Sequence, residues 1–272
     1  MPESTPVDIS YPGFELNTSF VRSRNTLLAR GDFAPFYVDY YLHRSDNQIE
    51  YSAAQDKLFK AVLAGFVLHC ASRPWNEMIA WTIHFEELKL NIFLTGDNET
   101  GAITGRLFDQ DVKTMEGNFF FSDVVRGSQP KRRSVAQFKG NDPLSAIEVF
   151  YRSSEQRLIR LIDLGDESYS LLAEHPDCDV TWLASLTTEQ ARDLDKKETV
   201  ASMERRVYRW HCGCNQGRMM QVLLPVFKDD PTGVFGSDEI IEMRCPRCAA
   251  RHHITREAME AFVTKEGDKG GA

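Results

Sequence analysis

Residues 210–218 read WHCGCNQGR and residues 243–248 read MRCPRC, and together they hold four of the six cysteines in the chain. Cys212 and Cys214 form a C-x-C pair, Cys245 and Cys248 a C-x-x-C pair, with thirty residues between the pairs. Thiolates are soft ligands suited to Zn²⁺, and a structural zinc site takes four of them as a tetrahedron. Two short-spaced pairs on separate turns can close around one ion, so the spacing predicts a four-thiolate zinc site at Cys212, Cys214, Cys245 and Cys248. Pro246 suits the tight turn of a zinc knuckle after the strand-like EIIEMR. His211, His252 and His253 are alternative ligands in principle but read better as groups at the surface or beside the ligands. A thioredoxin-like use of CPRC competes. A strand does precede it, but the next helix begins only near Thr255, no βαβ pattern surrounds it, and the partner C-x-C favours zinc. The other two cysteines differ: Cys70 sits in an apolar helix and reads as a buried thiol. Cys178, in EHPDCDV, reads as a loop residue at a domain edge, with a second metal site using His175, Asp177 and Asp179 the weaker alternative.

Such a site need not be inert. An oxidant attacking the thiolates would let each pair close a short loop and release the metal. Structural zinc supplies roughly 10–16 kcal/mol to small metal-held folds, whereas a disulfide closing a three- or four-residue loop returns about 2 kcal/mol. Oxidation should therefore unfold the segment that the metal holds, together with any element relying on docking beside it.

Several elements must position these residues. Residues 1–15 read as a loose arm, and the aromatic and β-branched stretch from Phe20 to Tyr41 reads as strands. SAAQDKLFKAVLAGFVLHCASRPW has helical spacing at Leu58, Val62 and Phe66 and is closed by Pro74. Four strand candidates follow, IAWTIHF, LKLNIFLTG, GAITGRLF and GNFFFSDVV, with TGDNETG as a hairpin-type turn; the run predicts an antiparallel sheet. DPLSAIEVFYRSSEQRLIRLIDLG fits a helix capped by Asp142 with Pro143 in its first turn, and periodicity leaves open whether it runs on or breaks near Ser153, with QRLIRLIDL alternating like a strand. The charged stretch TTEQARDLDKKETVASMERRVY, with Thr187 and Gln190 as a capping box, predicts a helix with a thin apolar stripe that depends on docking. The tail KEGDKGGA reads as disordered.

The fold class expected is α+β, in four parts: an N-terminal twisted-sheet domain over residues 1–180, a charged helical linker over 181–209, a small zinc-binding domain over 210–264 and a tail over 265–272. A 272-residue chain with 42% hydrophobic residues can bury a sizeable core. Its net charge of -8 argues against a nucleic-acid partner. The one basic cluster, Lys131-Arg132-Arg133, reads as a solvated loop. No secretory signal stands at the N-terminus and no apolar stretch is long enough to span a bilayer, so a cytoplasmic location without membrane contact is expected. No P-loop, G-x-G-x-x-G or G-x-S-x-G is present, so no enzyme is expected.

The chain resembles the heat-shock protein 33 family, the redox-regulated chaperones. The likeness rests on three features: the C-x-C with Arg218 four residues after Cys214, the C-x-x-C after SDEIIEM, and Ser154-Glu155-Gln156 within FYRSSEQR downstream of DPL. FVRSRN and LTGDNETG are weaker echoes. The resemblance implies an N-terminal α/β domain, a helical linker and a zinc-binding redox domain. It implies that Cys212, Cys214, Cys245 and Cys248 hold zinc in a reduced, inactive form, and that oxidation forms the disulfides Cys212–Cys214 and Cys245–Cys248, releases zinc and unfolds the linker. The active form would hold unfolding client proteins without ATP, commonly as a homodimer. The chain departs from the family pattern. Asn215-Gln216-Gly217-Arg218 replaces the usual Ser-x-Glu-Arg, Ala249 the usual Gly, and His252 a common aromatic, and the stretch before Cys212 is shortened. Two other readings remain: a constitutive zinc-stabilised binding module without switching, favoured by that shortened stretch, and a thiol oxidoreductase working through Cys245 and Cys248.

Overall fold

The computed structural model describes residues 13–110, 112 and 115–269. The chain begins with β1 (Phe14–Val21) and β2 (Thr26–Asp32), then α1 (Ala34–Asp46) and α2 (Ala53–Ala71). Five strands follow: β3 (Glu77–Phe85), β4 (Leu90–Asp97), β5 (Ala102–Phe108), β6 (Asn118–Arg126) and β7 (Arg132–Phe138). Next come α3 (Pro143–Phe150), a π-helical turn at Tyr151–Glu155, β8 (Ile159–Gly165) and β9 (Ser168–Glu174). Three short helices, α4 (Val180–Ser185), α5 (Thr188–Arg192) and α6 (Leu194–Lys197), lead to β10 (Val200–Trp210). The cysteine region holds α7 (Gln216–Asp229), α8 (Pro231–Phe235), β11 (Ile240–Arg244), β12 (Arg251–Thr255) and α9 (Arg256–Lys269). This is the α+β architecture expected. No helix among the described residues is long and apolar enough to cross a membrane.

Ten strands form one sheet in the order β7-β6-β3-β4-β5-β10-β1-β2-β9-β8, and β11 pairs with β12 separately. The four expected central strands are β3 to β6, paired antiparallel. Helices α1 to α3 cover one face. Trp81 of β3 sits at the centre, with ring centroids 5.0 Å from Phe66 and 4.8 Å from Phe120, all fully buried. Ser52 caps α2 through a capping box with Gln55, and Asp142 caps α3 by accepting from the Leu144 and Ser145 amides.

The structure corrects four expectations. Residues 34–46, inside the stretch read as strands, form α1. Asp32 Oδ1 accepts from the Ala34 amide at 3.0 Å, Pro35 lies in the first turn, and Phe36, Tyr37 and Tyr40 are buried at helical spacing. Strand-favouring aromatics were overruled by a helix start and by packing. The linker expected as one helix is helical only to Lys197, and its second half is β10. Met203-Glu204-Arg205-Arg206 has good helix formers, but β1 pairs with it along Phe14–Val21 and β5 completes the other side at Arg209 and Trp210. Sheet pairing of this kind overrides local propensity. The arm read as residues 1–15 already contains the start of β1 at Phe14, while residues 1–12 lie outside those described. The tail read as disordered continues α9 to Lys269, and residues 270–272 lie outside those described.

The connecting helices pack on the sheet. Leu183, Leu186, Ala191 and Leu194, each at most 3% exposed, join Val21, Leu28, Ile162, Leu164 and Leu172 in a second apolar cluster. Arg24, in the turn between β1 and β2, and Arg30 of β2 reinforce the docking. Arg24 pairs with Asp179 at 2.7 Å and with Glu198 at 2.9 Å, and Arg30 pairs with Asp195 at 2.7 Å. The predicted capping box of Thr187 and Gln190 begins α5.

Candidate metal centre

Strand β10 delivers the first cysteine pair. Its Arg206 is buried and donates to the carbonyls of Cys70 and Arg73 at 3.2 and 2.7 Å, at the end of α2. The Tyr208 hydroxyl reaches Asn98 at 3.2 Å. Gly101, in the predicted TGDNETG turn, lets β10 approach, since a Cβ there would lie 2.2 Å from the Val207 carbonyl oxygen. The His211 amide then donates to Ile103 O at 2.9 Å, so Cys212 leaves the sheet in a fixed direction. Gly213 turns the chain with a φ of +65°, which glycine adopts without steric cost. Asn215 caps α7 by accepting from the Arg218 amide at 2.9 Å, and Arg218 Nη1 donates back to Gly213 O at 2.5 Å.

The second pair lies in the turn between β11 and β12. The Ala249 amide donates to Cys245 O and the Cys245 amide to Ala250 O, each at 2.8 Å. Ala249 holds the left-handed region with a φ of +62°, where glycine would sit more easily.

These two turns bring Cys212, Cys214, Cys245 and Cys248 together. Their four Sγ atoms all lie within 4.8 Å of one another, and no other group of three or more His, Cys, Asp or Glu ligand atoms is so placed among the described residues. Cys212 and Cys245 are 3.7 Å apart, and Cys214 and Cys248 3.6 Å. A tetrahedron with zinc–sulfur bonds of about 2.3 Å has edges of about 3.8 Å, so the donor set and spacing fit zinc. Hydrogen bonds from neighbouring thiols hold Cys245 and Cys212 below the usual thiol range; the partners on the donating side of those bonds, Cys248 and Cys214, are pushed up.

The histidines stand around the cluster. His252 Nε2 lies 3.3 Å from Cys214 Sγ, a hydrogen bond to sulfur. His253 faces Glu242 at 3.8 Å. His211 is half-buried, and burial first, then Arg209, Arg218 and Arg247, hold it below the usual imidazole range.

The cluster is also docked on the sheet domain. His43, at the end of α1, hydrogen-bonds Cys248 O at 2.8 Å, and Arg106 of β5 reaches Cys245 O at 3.4 Å. The Arg251 amide donates to Asn47 at 2.9 Å. Trp210 packs edge-on to Tyr40 with centroids 5.3 Å apart. Sequence reasoning missed His43, Arg106 and Asn47, which stand more than 100 residues from the cysteines they serve. Trp210 was the one local signal, a large aromatic two residues before Cys212.

Cys70 is fully buried, as expected, and burial raises its thiol well above the ordinary range. Cys178 is half-buried with its sulfur 3.3 Å from Thr26 Oγ1. Arg133 and Lys131 pair with Asp123 on the neighbouring strand. Glu155, in the SEQ stretch, pairs with Arg73 at 2.9 Å, and Gln156 ends the π-helical turn with a φ of +52°.

A family model described as "Hsp33 protein" matches residues 164–255, the connector and the cysteine region together. A curated relative from Nitrosococcus oceani, named 33 kDa chaperonin, is 24% identical over 214 residues, covering 71% of each chain. The chain is thus similar in sequence to Hsp33 proteins. The solved structure of a 33 kDa chaperonin, an Hsp33 homologue from Thermotoga maritima, shares the fold. It aligns with 94% of this chain and 99% of its own at a TM-score of 0.67 and 12% identity. The family model leaves residues 1–163 unmatched, whereas the match to the 33 kDa chaperonin, at 214 residues, extends into them.

Proposed function

We propose that this chain is a redox-regulated, ATP-independent holdase chaperone of the cytoplasm that binds unfolded or aggregation-prone client proteins. The carrying observation is the gathering of four cysteine sulfurs at the end of β10, a strand that also closes the sheet. Cys212, Cys214, Cys245 and Cys248 are the zinc ligands in this reading. Bound zinc would supply a fixed dication that keeps four thiolates deprotonated and cross-links the two turns. Reduced, the chain keeps α4 to α6 docked. Oxidised, the cysteines close Cys212–Cys214 and Cys245–Cys248 and give up the metal. The two short disulfides return about 2 kcal/mol each by loop closure, too little to replace about 10–16 kcal/mol of metal binding. The region 210–264 then loosens, and the contacts of Cys245 and Cys248 with Arg106 and His43 go with it. The connector over 181–209 is next to open, which bares its leucines and the sheet surface beneath for clients and for pairing of two oxidised chains. No catalysis is part of this reading.

A second reading is a constitutive zinc-stabilised binding module. It is favoured by β10, because a connector whose second half is an internal strand of a ten-stranded sheet resists unfolding. One experiment separates the two. Reduced, zinc-loaded protein is divided and one half is treated with peroxide or hypochlorite at mildly raised temperature. Both halves are tested for suppression of aggregation of a chemically unfolded client, with zinc release followed by a chromogenic chelator. Suppression by the oxidised half alone, with about one zinc released per chain, supports the switch. Retained zinc and equal behaviour of the halves leave the module.

A further inference from the structure

Strands β3 to β5 have a second face, away from α2 and α3. Trp81 and Ile83 of β3, Ile92 and Leu94 of β4 and Leu107 of β5 are buried in the apolar cluster. Strand alternation therefore turns Thr82, Asn91, Phe93 and Phe108 to the opposite side. The register gathers them there: Phe93 lies across from Thr82, and Asn91 sits between His84 and Phe108. Gln110 and Val112, which follow β5, and Pro246 and Arg247, from the turn between β11 and β12, complete a cavity of about 380 Å³ over these four. Small-molecule sites occupy about 300–1,000 Å³ and combine an apolar lining with a few placed polar groups. Here the Arg106 guanidinium stacks 4.2 Å from the Phe108 ring. His84, 3% exposed, stands behind Asn91 with Nδ1 2.7 Å from its Oδ1. An amide oxygen only accepts, so the imidazole donates and fixes the Asn91 side chain with its Nδ2 donor unpaired among the described residues. No carboxylate lines the cavity. Arg244 and Arg251, at the base of the turn, both pair with Glu242. Arg247, in its tip, pairs with no carboxylate among the described residues.

We propose that this cavity binds a small organic acid with an apolar body, an aryl or short alkyl carboxylate. The body lies on Phe93, Phe108 and Val112 beside Pro246. The carboxylate meets Arg247, whose planar fork matches two carboxylate oxygens at once, and Asn91 Nδ2 and the Gln110 amide donate to the same oxygens. A neutral apolar ligand would leave these donors without acceptors, which a buried site penalises. Binding of this kind needs only the reduced, folded arrangement and no thiol chemistry. The floor belongs to the sheet, whereas Pro246 and Arg247 belong to the cysteine region. An occupant therefore joins the two regions and favours their docked arrangement, as any ligand favours the state that binds it.

Two probe acids test this in the full-length, reduced, zinc-loaded protein. Phenylacetate and octanoate, each beside its neutral amide, are titrated and followed by ligand-detected NMR. At least one acid should bind with a Kd of about 1 mM or tighter, and its amide about 5- to 10-fold more weakly. Gln110→Glu, an exposed change away from the cysteines, sets a carboxylate beside the bound one and should weaken the acid about 10-fold, less so at high salt. Arg247→Gln, with its zinc content checked beforehand, should weaken it by about the same factor. The bound acid should also slow hydrogen exchange over 91–93, 106–110 and 243–251 while leaving the short helices of 180–197 unchanged. Binding of neither acid below about 10 mM overturns the proposal. So does equal binding of acid and amide, or parental affinity in both variants. No client or oxidant is present, so these outcomes are distinct from a failure of the holdase reading, which shows as fully oxidised protein that holds nothing.

Discussion

The sheet domain and the cysteine region are stabilised by different means. The sheet domain has a large apolar cluster running from Phe14 to Tyr208, with Trp81, Phe66, Phe120 and Phe150 among its fully buried rings. Around the four sulfurs the cysteine region buries far less: Met219, Phe227, Phe235, Ile254, Met259 and two small alanines. Losing one contact in the first leaves dozens; losing the sulfurs in the second removes its centre. An oxidant acts on thiolates and leaves aliphatic packing alone, so in the proposed reading the two regions would have separate sensitivities inside one chain. The sharpest break of that comparison is Cys248→Ser, or removal of metal by a strong chelator. Either should abolish hydrogen-exchange protection across 211–264 if, as proposed, metal binding worth about 10–16 kcal/mol holds so small a core, while β3 and β4 stay protected. Trp81→Ala is the reciprocal change: it should destabilise the sheet domain by about 3–5 kcal/mol without altering zinc stoichiometry. Coupled loss of both regions in either variant would make them one cooperative unit.

The connector lies between these extremes, and Leu194→Ala is the change that locates it. Leu194 is 1% exposed and packs α6 on the sheet with Leu183, Leu186 and Ala191. Truncation should cost about 2–4 kcal/mol, read as faster exchange over 180–197. Strand β10 should keep its protection, since its ladder with β1 covers eight residue pairs. If β10 exchanges with the helices, the whole connector opens as one segment. If neither responds, the helices are held chiefly by Arg24 and Arg30, and Arg24→Ala becomes the informative variant.

Much of this was legible because it is local. The helix caps at Asp142 and Thr187, the turn at Gly101 and the paired cysteines each declare themselves within five residues. Trp81 and its neighbours follow from strand alternation. The errors came where distant partners decide. Phe36, Tyr37 and Tyr40 favour strands by type but pack as a helix under Pro35. Met203 to Arg206 favour a helix by type but fill the gap between β1 and β5, which no window of sequence can display. The cysteine cluster was legible to its four cysteines and not beyond them, because His43, Arg106 and Asn47 reach it only through the tertiary fold.

The smallest expected effect concerns Ala249, which stands where the resemblance leads one to expect glycine. Its φ of +62° is unfavourable for a residue with a Cβ by about 1–2 kcal/mol. Ala249→Gly relieves that strain but adds freedom to the unfolded chain, which offsets about 0.4–1 kcal/mol of it. The net gain should be about 0.5–1 kcal/mol, or a 2- to 5-fold tighter hold on zinc in a competition with a chelator. Because the change touches only the turn after Cys248, it should leave the thermal transition of the sheet domain where it is. A tighter zinc site should also raise the peroxide needed to empty it, so the alanine would set a lower oxidation threshold through backbone strain. An unchanged affinity would mean that the Ala249 methyl, 2% exposed beside Cys248, returns in packing what its backbone costs.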